Sequence, residues 1–233
     1  VYSKAVLESY RESPWGNTQR LQKEGLEFNL SQYDEIDNYC KSKNIDWFAS
    51  SWDEISQIEM RKYNFKFNKV ASAMATNLSF LELLASEKIP TFLSTGMTDL
   101  SDIEKALKIF EKNNCEVMLL HTVSTYPAAE EDLNLQCIQK LRERFNVHVG
   151  YSGHEVSVSP SVVAASLGAS VIERHITLDR AMYGSDQSAS LQETGLMQLT
   201  SILRKLPKML GDGEKRILDD EKKVANKLRY WKN

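Results

Sequence analysis

Several kinds of residue are scarce in this sequence, and each scarcity argues against a class of protein. Among 233 residues there are only three cysteines, Cys40, Cys115 and Cys137. They are odd in number and widely spaced, which indicates buried free thiols rather than a disulfide framework or a zinc cluster. No apolar run approaches the roughly 18 residues that a membrane span requires, and the first residues, VYSKAVLESY, are polar. We therefore expect a cytoplasmic protein that has no membrane partner.

Neither sign of charge is in large excess. The chain has 29 lysines and arginines against 32 aspartates and glutamates, so its formal net charge is -3. Because no basic run is interleaved with aromatic residues, nucleic acid is not expected as a partner. What remains is an ordinary globular composition, 42% apolar and 26% charged, which predicts one domain with a large core.

Short runs of strand-forming residues alternate with amphipathic stretches along the chain. Six strands are predicted, near residues 45–50, 65–72, 90–95, 116–124, 147–152 and 170–176. Helices are expected between them, for example in SQYDEIDNYCKSK, LSFLELLASEK and SDIEKALKIFEKNN. In the last of these, Ser101 and Glu104 are expected to form a capping box ahead of an apolar stripe made of Ile103, Ala106, Leu107 and Phe110. This repeat of one strand and one helix is typical of a parallel sheet.

Two parallel architectures fit the repeat, a doubly wound sheet and a closed (β/α)₈ TIM barrel. No glycine-rich phosphate-binding fingerprint follows the earliest strand, which weakens the dinucleotide-binding form of the doubly wound sheet. Polar residues stand just after nearly every predicted strand, and in barrels such positions build the active site. These residues are Ser50, Ser72, Ser94, Thr95, Ser124, Ser152, His154 and His175. The pattern favours an α/β fold of the barrel type.

A closed barrel needs eight strands, whereas six are predicted. We therefore expect the sequence to begin after strand two of a barrel, with residues 1–28 as the long loop that follows that strand. Residues 1–233 are then a partial barrel domain holding strands three to eight. Because six consecutive strands leave two sheet edges unpaired, we also expect the protein to extend beyond both ends of this sequence.

Two of the four histidines, His154 and His175, stand at the ends of neighbouring predicted strands. A single histidine in such a place is more often a hydrogen-bonded structural residue than a ligand. Both side chains would, however, point into the same mouth of a barrel. A pair of neutral imidazoles there suits a divalent metal, with water and substrate oxygens completing its coordination.

Hydroxyl and backbone N–H groups at five positions near strand ends suit an anion that is held without many charges. These positions are Ser72, Ser94, Gly96, Ser124 and Ser152. Lys69 lies in the run FNKVAS on a predicted central strand, where a lysine is costly unless it reaches a partner. The combination fits a phosphate ester. Glu173 precedes His175 by two residues and so shares its face of the strand, where it could orient the metal or the substrate.

A set of motifs, in order and at consistent intervals, resembles one family. The motifs are FNKVAS, FLSTGM, HTVSTYP, EDLNL, GYSGHE, GASVIERHITLDR and GSDQSASL. Together they resemble the sialic acid synthases, the N-acetylneuraminate synthase family, over essentially the whole chain. GYSGHE resembles the animal-type branch, some members of which use phosphorylated acceptors.

The resemblance implies a (β/α)₈ barrel enzyme, a transferase of carbohydrate biosynthesis. It would condense phosphoenolpyruvate with an open-chain N-acyl hexosamine, such as N-acetylmannosamine or its 6-phosphate, using Mn²⁺ or Mg²⁺. It also implies a C-terminal antifreeze-like domain, which this sequence lacks, and a domain-swapped homodimer.

Carried over to this sequence, the resemblance assigns a role to each candidate site residue. His154 and His175 would bind the metal, while Tyr126 and Asp186 would face the sugar and Glu173 would complete the catalytic set. The residues that would hold phosphoenolpyruvate are Ser50, Lys69, Ser72, Ser94, Gly96, Ser124 and Ser152. Many family members have an acidic residue where this chain has Met74. Two alternatives stay open, a metal-dependent aldolase on the same barrel and a catalytically inactive barrel used for binding.

Overall fold

The computed structural model describes residues 2–232, and the part before residue 45 already has regular structure of its own. It contains helix α1 (Lys4–Leu7), an antiparallel hairpin of β1 (Tyr10–Ser13) and β2 (Gly16–Thr18), and helices α2 (Gln19–Leu26) and α3 (Leu30–Lys43). The expectation of a long loop over residues 1–28 is therefore wrong for the residues that can be described. Ser3, Thr18 and Asn29 cap the three helices with their side-chain oxygens, which is why short polar segments are helical here.

A five-stranded parallel sheet forms the rest of the fold. Its strands are β3 (Asn68–Val70), β4 (Thr91–Ser94), β5 (Val117–Thr122), β6 (Val149–Gly153) and β7 (Ile172–Arg174). The helices are α4 (Glu54–Met60), α5 (Leu78–Ser86), α6 (Leu100–Lys112), α7 (Cys137–Phe145), α8 (Ser159–Ser166), α9 (Glu193–Leu210) and α10 (Asp219–Leu228). The strands pair in sequence order, β3 to β7. A doubly wound sheet reverses its strand order at a switch point, so this order confirms the barrel-type fold.

The sheet is strongly curled, as in half of a barrel. Neighbouring strands lie about 4.8 Å apart, so β3 and β7 would be separated by about 19 Å in a flat sheet. Lys69 on β3 nevertheless approaches Glu173 on β7 to 3.6 Å between Nζ and Oε1. Two side chains cannot span the flat distance, so the carboxyl ends of all five strands must converge on one point.

The run at residues 45–50 was expected to be the first strand of this sheet, and that expectation is wrong. Within residues 2–232 the run has no regular secondary structure, and no ladder of backbone hydrogen bonds joins it to β3. It is attached instead through side chains: the Phe48 ring lies 5.9 Å from that of Phe92, and the Ser50 hydroxyl reaches the carbonyl of Lys69 at 3.5 Å. Apolar contact without a backbone ladder holds the segment beside the sheet, which therefore has five strands rather than six.

The core lies between the sheet and helices α5 to α8. Alternate strand residues such as Val70, Leu93, Leu119, Val149 and Tyr151 point toward the helices and are fully buried. The intervening residues face the concave side. Polar residues such as Lys69 and Ser152 line the cavity there, whereas Phe92 packs against other aromatic rings. The strand period therefore separates a dry outer layer from an inner surface that carries the polar site.

Helix α6 shows how local sequence positions an element against this core. Its predicted apolar stripe is confirmed, with Ile103, Ala106 and Phe110 buried. The capping box, however, is made by Asp99 and Asp102 rather than by Ser101 and Glu104, because the helix begins two residues earlier than expected. The three cysteines are free thiols, but of the three only Cys115 is buried as predicted, whereas Cys40 and Cys137 are partly exposed. Across the residues that can be described, no helix is long and apolar enough to cross a membrane.

Removing the Phe110 ring tests the core assignment. Phe110 is completely buried in the cluster between α6 and the sheet, so Phe110→Ala should lower the free energy of unfolding by about 3 to 5 kcal/mol. Leu100→Ala is the control in the same helix, because Leu100 is 46% exposed, and it should change that free energy by at most about 0.5 kcal/mol. Urea unfolding followed by circular dichroism measures both; equal losses would contradict the placement of α6.

Candidate active site

A cavity of about 620 Å³ opens at the carboxyl ends of the five strands. The predicted site residues that line it are Ser50, Lys69, Ser72, Ser94, Ser124, Tyr126, Ser152, His154, Glu173, His175 and Asp186. Gly96, the one remaining candidate, lies directly behind this lining and donates its backbone N–H to the hydroxyl of Ser72 at 3.1 Å. The structure thus brings together all the residues that the sequence analysis selected.

Lys69 is the buried cation of the cavity. Its Nζ donates to the hydroxyl of Ser94 at 2.8 Å and to the carbonyl of Val70 at 3.2 Å. Glu173 Oε1 lies 3.6 Å away and also accepts a hydrogen bond from Ser152 at 2.7 Å. Burial lowers the pKa of Lys69, and the nearby Glu173 opposes that shift. Lys69 is therefore a poorly hydrated cation that faces the cavity and contacts groups on β3, β4 and β7.

A small cradle next to Lys69 has room because residue 96 is a glycine. A side-chain carbon at Gly96 would lie 2.1 Å from the Ser124 Oγ and 2.8 Å from the Ser72 Oγ. The Ser124 Oγ is buried and has no hydrogen-bond partner within residues 2–232. An orphaned buried hydroxyl is unfavourable unless it meets a ligand or water, so this cradle is suited to accept an oxygen-rich anion.

The two strand-end histidines meet across the cavity. The rings of His154 and His175 are 5.1 Å apart between centroids and nearly perpendicular, with Tyr126 against both. His154 Nδ1 donates to the carbonyl of Val123 at 2.7 Å, which leaves the Nε2 lone pair free. Burial lowers the pKa of His154, so its imidazole is neutral and able to act as a ligand near neutral pH.

These imidazoles fit a weakly held divalent metal rather than a closed structural site. His175 Nδ1 faces the carboxylate of Asp186 at 3.4 Å, so its other nitrogen is also available. Of the residues that can be described, no three His, Cys, Asp or Glu side chains are placed to share one ion. A metal held here by His154 and His175 therefore keeps several positions for water and substrate oxygens, as a catalytic metal requires.

Tyr126 and Asp186 form the outer rim of the cavity. Both side chains are partly exposed, and burial together with the Asp186 and Glu173 charges raises the pKa of Tyr126. Ser50 lies at the same opening. Its hydroxyl reaches only the backbone carbonyl of Lys69, whereas the Ser94 hydroxyl contacts the Lys69 ammonium group. Met74 faces away from the cavity into the hydrophobic core, so it does not replace an acidic group in the lining.

The sequence analysis missed the residues that hold the cavity wall from behind. Arg174 and Glu155, each next to a candidate histidine, form a buried ion pair of 2.9 Å. Tyr183 holds the loop that carries Asp186: its hydroxyl donates to the carbonyl of Glu12 at 3.0 Å and accepts from the Gln22 amide at the same distance. A second charged residue inside a short predicted strand, directly after Glu173, was an available signal for Arg174. No local signal marked Tyr183, whose partners lie more than 160 residues away.

Comparison with known proteins gives a consistent result. The model of the NeuB family matches residues 2–215. N-acetylneuraminate-9-phosphate synthase of Drosophila melanogaster is 40% identical over 191 residues, which are 81% of this chain and 51% of that protein. N,N'-diacetyllegionaminic acid synthase of Campylobacter jejuni is 36% identical over 88% of this chain and 62% of its own length. The chain therefore spans about half to three-fifths of these curated relatives.

One solved structure agrees with both the fold and the family. The N-acetylneuraminic acid (sialic acid) synthetase of Leptospira borgpetersenii, crystallised in complex with citrate, superposes with a TM-score of 0.81. It is 30% identical, and the match covers 93% of this chain and 78% of that one.

The buried Lys69 should make stability depend on pH in a defined direction. Its pKa is lower in the folded protein than in the unfolded chain, so the unfolded chain binds more protons between the two values. The free energy of unfolding of the wild type, minus that of Lys69→Met, should therefore increase as the pH rises toward the ordinary lysine pKa of 10.5.

Denaturant unfolding at a series of pH values measures this difference. Lys66→Met, which removes an exposed lysine three residues away, controls for the loss of one positive charge. A wild-type advantage that stays constant or shrinks with rising pH would show that Lys69 is not desolvated in solution.

Proposed function

Since the chain belongs to the NeuB family, we propose that it is the catalytic portion of a nonulosonic acid synthase. In this reaction the enol carbon of phosphoenolpyruvate attacks the aldehyde of an open-chain N-acyl hexosamine, such as N-acetylmannosamine or its 6-phosphate. Water adds to carbon two, and inorganic phosphate leaves. One new carbon–carbon bond forms and the carbon–oxygen bond to phosphate breaks, so the products are a nonulosonic acid and phosphate.

One observation carries the proposal: a single cavity combines a cradle for an anion with a pair of imidazoles. The cradle is made of hydroxyl groups around Lys69, whose cation reaches the same space. The imidazoles of His154 and His175 stand at the other side of the cavity. A condensation of an anionic donor with a carbonyl acceptor needs both parts within one site.

The donors around Lys69 would hold phosphoenolpyruvate. Lys69 meets the negative charge, and its own partner Ser94 keeps the ammonium group directed into the cavity. The hydroxyls of Ser72 and Ser124 offer hydrogen bonds to oxygen without adding charge, and the Gly96 N–H holds the Ser72 hydroxyl in place. Ser152 and the more distant Ser50 would complete this set at the rim.

His154 and His175 would hold a divalent metal, Mn²⁺ or Mg²⁺. When bound, such an ion polarises the aldehyde oxygen of the acceptor. The chain's own contribution is to orient both imidazoles, through the carbonyl of Val123 for His154 and the carboxylate of Asp186 for His175.

Three further side chains would act on the acceptor. Tyr126 and Asp186 lie at the rim, where the hydroxyl groups of an open-chain sugar would reach them. Glu173 lies between Lys69 and Ser152 and is placed to orient water or the sugar beside the reacting carbons. The cytoplasmic location and the domain-swapped homodimer stay predictions.

An assay of phosphate release tests the proposed reaction. With phosphoenolpyruvate, Mn²⁺ and a panel of N-acyl hexosamines, phosphate should appear only when an acceptor is present, together with an equal amount of nonulosonic acid. His154→Ala or His175→Ala should abolish this activity while leaving the fold intact, because both residues lie at the mouth. His148→Ala is the matched control, because His148 is exposed and lies outside the cavity lining.

The same assay separates the alternatives. Pyruvate turnover without phosphate release would indicate a metal-dependent aldolase. Binding of the acceptor without turnover under any metal would indicate an inactive barrel. Wild-type turnover by either cavity-histidine variant after chelation and metal titration would remove the metal assignment.

Replacing Lys69 distinguishes the two substrates. Lys69→Met keeps an apolar stem but removes the cation, so it should weaken phosphoenolpyruvate binding by about 2 to 5 kcal/mol and affect the sugar much less. The Michaelis constants for both substrates measure the effect. An unchanged constant for phosphoenolpyruvate would show that Lys69 is structural only.

A further inference from the structure

A buried carboxylate lies directly behind the two cavity histidines. Glu155, next to His154, is completely buried, although an isolated charge there would be very unfavourable. Its Oε1 pairs with Arg174 at 2.9 Å, and its Oε2 accepts a hydrogen bond from the Tyr151 hydroxyl at 2.7 Å. The hydroxyl of Ser161 lies 3.4 Å from Oε1. The carboxylate is therefore bonded on several sides and has one well-defined position.

Arg174 extends this network to the backbone of the turn after β6. One of its terminal nitrogens donates to the carbonyl of Ser157 at 2.9 Å and to the Ser161 hydroxyl at 3.1 Å. The other donates to the carbonyl of Glu155. Because Arg174 lies between Glu173 and His175 on β7, a single guanidinium group connects the strand of one histidine to the turn that carries the other.

Gly153 leaves the space that the carboxylate occupies. A side-chain carbon at this position would lie 2.6 Å and 2.8 Å from the two carboxylate oxygens of Glu155, and 2.7 Å from the Tyr151 ring. The motif YSGHE therefore needs its glycine so that Glu155 can fold back beneath the turn. Of the residues in that motif, Ser152 and His154 face the cavity while Tyr151 and Glu155 hold the turn from behind.

We propose that Glu155 and Arg174 are positioning residues that set the separation and orientation of His154 and His175 and thereby the metal affinity of the site. Neither side chain needs to touch substrate or metal. Their ion pair fixes the backbone on both sides of the histidine pair, because each charged residue is the direct chain neighbour of one histidine. This inference rests on the proposed function, since it takes His154 and His175 to be the metal ligands.

Binding of Mn²⁺, followed by the electron paramagnetic resonance signal of the free ion, tests the proposal without any need for turnover. Glu155→Gln keeps the shape of the side chain but removes its charge, and Gly153→Ala displaces the carboxylate. Both should weaken Mn²⁺ binding by about 10-fold or more, the usual effect of losing a group that orients metal ligands. Tyr151→Phe removes a single hydrogen bond and should weaken it by about 2- to 10-fold.

The chain offers a matched control at the opposite end of the sheet. Glu87 is also a buried, paired carboxylate, bonded to Arg61 at 2.8 Å and to the amides of Gln57 and Asn68. Glu87→Gln should lower the melting temperature as Glu155→Gln does, yet leave the Mn²⁺ affinity unchanged, because Glu87 follows α5 and bonds to the first residue of β3, away from the histidines.

Each outcome decides between the positioning role and general stability. Equal weakening by Glu87→Gln and Glu155→Gln, or unchanged affinity in Glu155→Gln, would overturn the proposal. If Glu155→Gln does not fold, Tyr151→Phe decides, and wild-type affinity in that variant overturns the proposal. His154→Ala distinguishes failure of the metal assignment from failure of the positioning role. If His154→Ala still binds Mn²⁺, the metal assignment itself is contradicted. If His154→Ala loses Mn²⁺ binding while Glu155→Gln binds it normally, only the positioning role is contradicted.

Discussion

The approach of Lys69 to Glu173 is the constraint on which the site depends. These residues belong to the two outer strands of the five-stranded sheet, and their 3.6 Å separation is possible only if the sheet curls until its strand ends converge. The same curl brings the histidines of β6 and β7 close to the hydroxyls that follow β3, β4 and β5. A flat sheet with the same sequence would hold these groups in a row and form no cavity.

The unfavourable free energy of burying polar groups at the cavity is offset by the apolar core on the other side of the strands. Lys69 loses much of its hydration, which lowers its pKa, and the Ser124 hydroxyl has no partner within the described part of the chain. Both features are unfavourable for folding alone and favourable for holding an anion. The cluster around Phe80 and Phe110 supplies apolar burial that offsets them. Successive side chains of each strand point to opposite faces, so one face can line the cavity while the other packs in the apolar core.

Much of this arrangement could be predicted from the sequence, because its signals are local. A lysine inside a strand, serines at strand ends and two histidines in the same setting identified the cavity lining. Other features depend on contacts between distant residues and have no local signal. Tyr183 bonds to the hairpin region, and the segment 45–50 lies beside β3 through aromatic contacts rather than a ladder. The start of α6 was misplaced because Asp99, two residues before the expected Ser101, is an equally suitable N-cap, and Asp102 completes its capping box.

Titration of phosphoenolpyruvate into the wild type and into Gly96→Ala tests the central claim most directly. The cradle exists because Gly96 has no side chain, and an added carbon would lie 2.1 Å from the Ser124 Oγ. Calorimetry should show one site in the wild type, competition by inorganic phosphate, and loss of binding in the folded variant. Unchanged phosphoenolpyruvate affinity in Gly96→Ala would contradict the assignment of this cavity as the anion site.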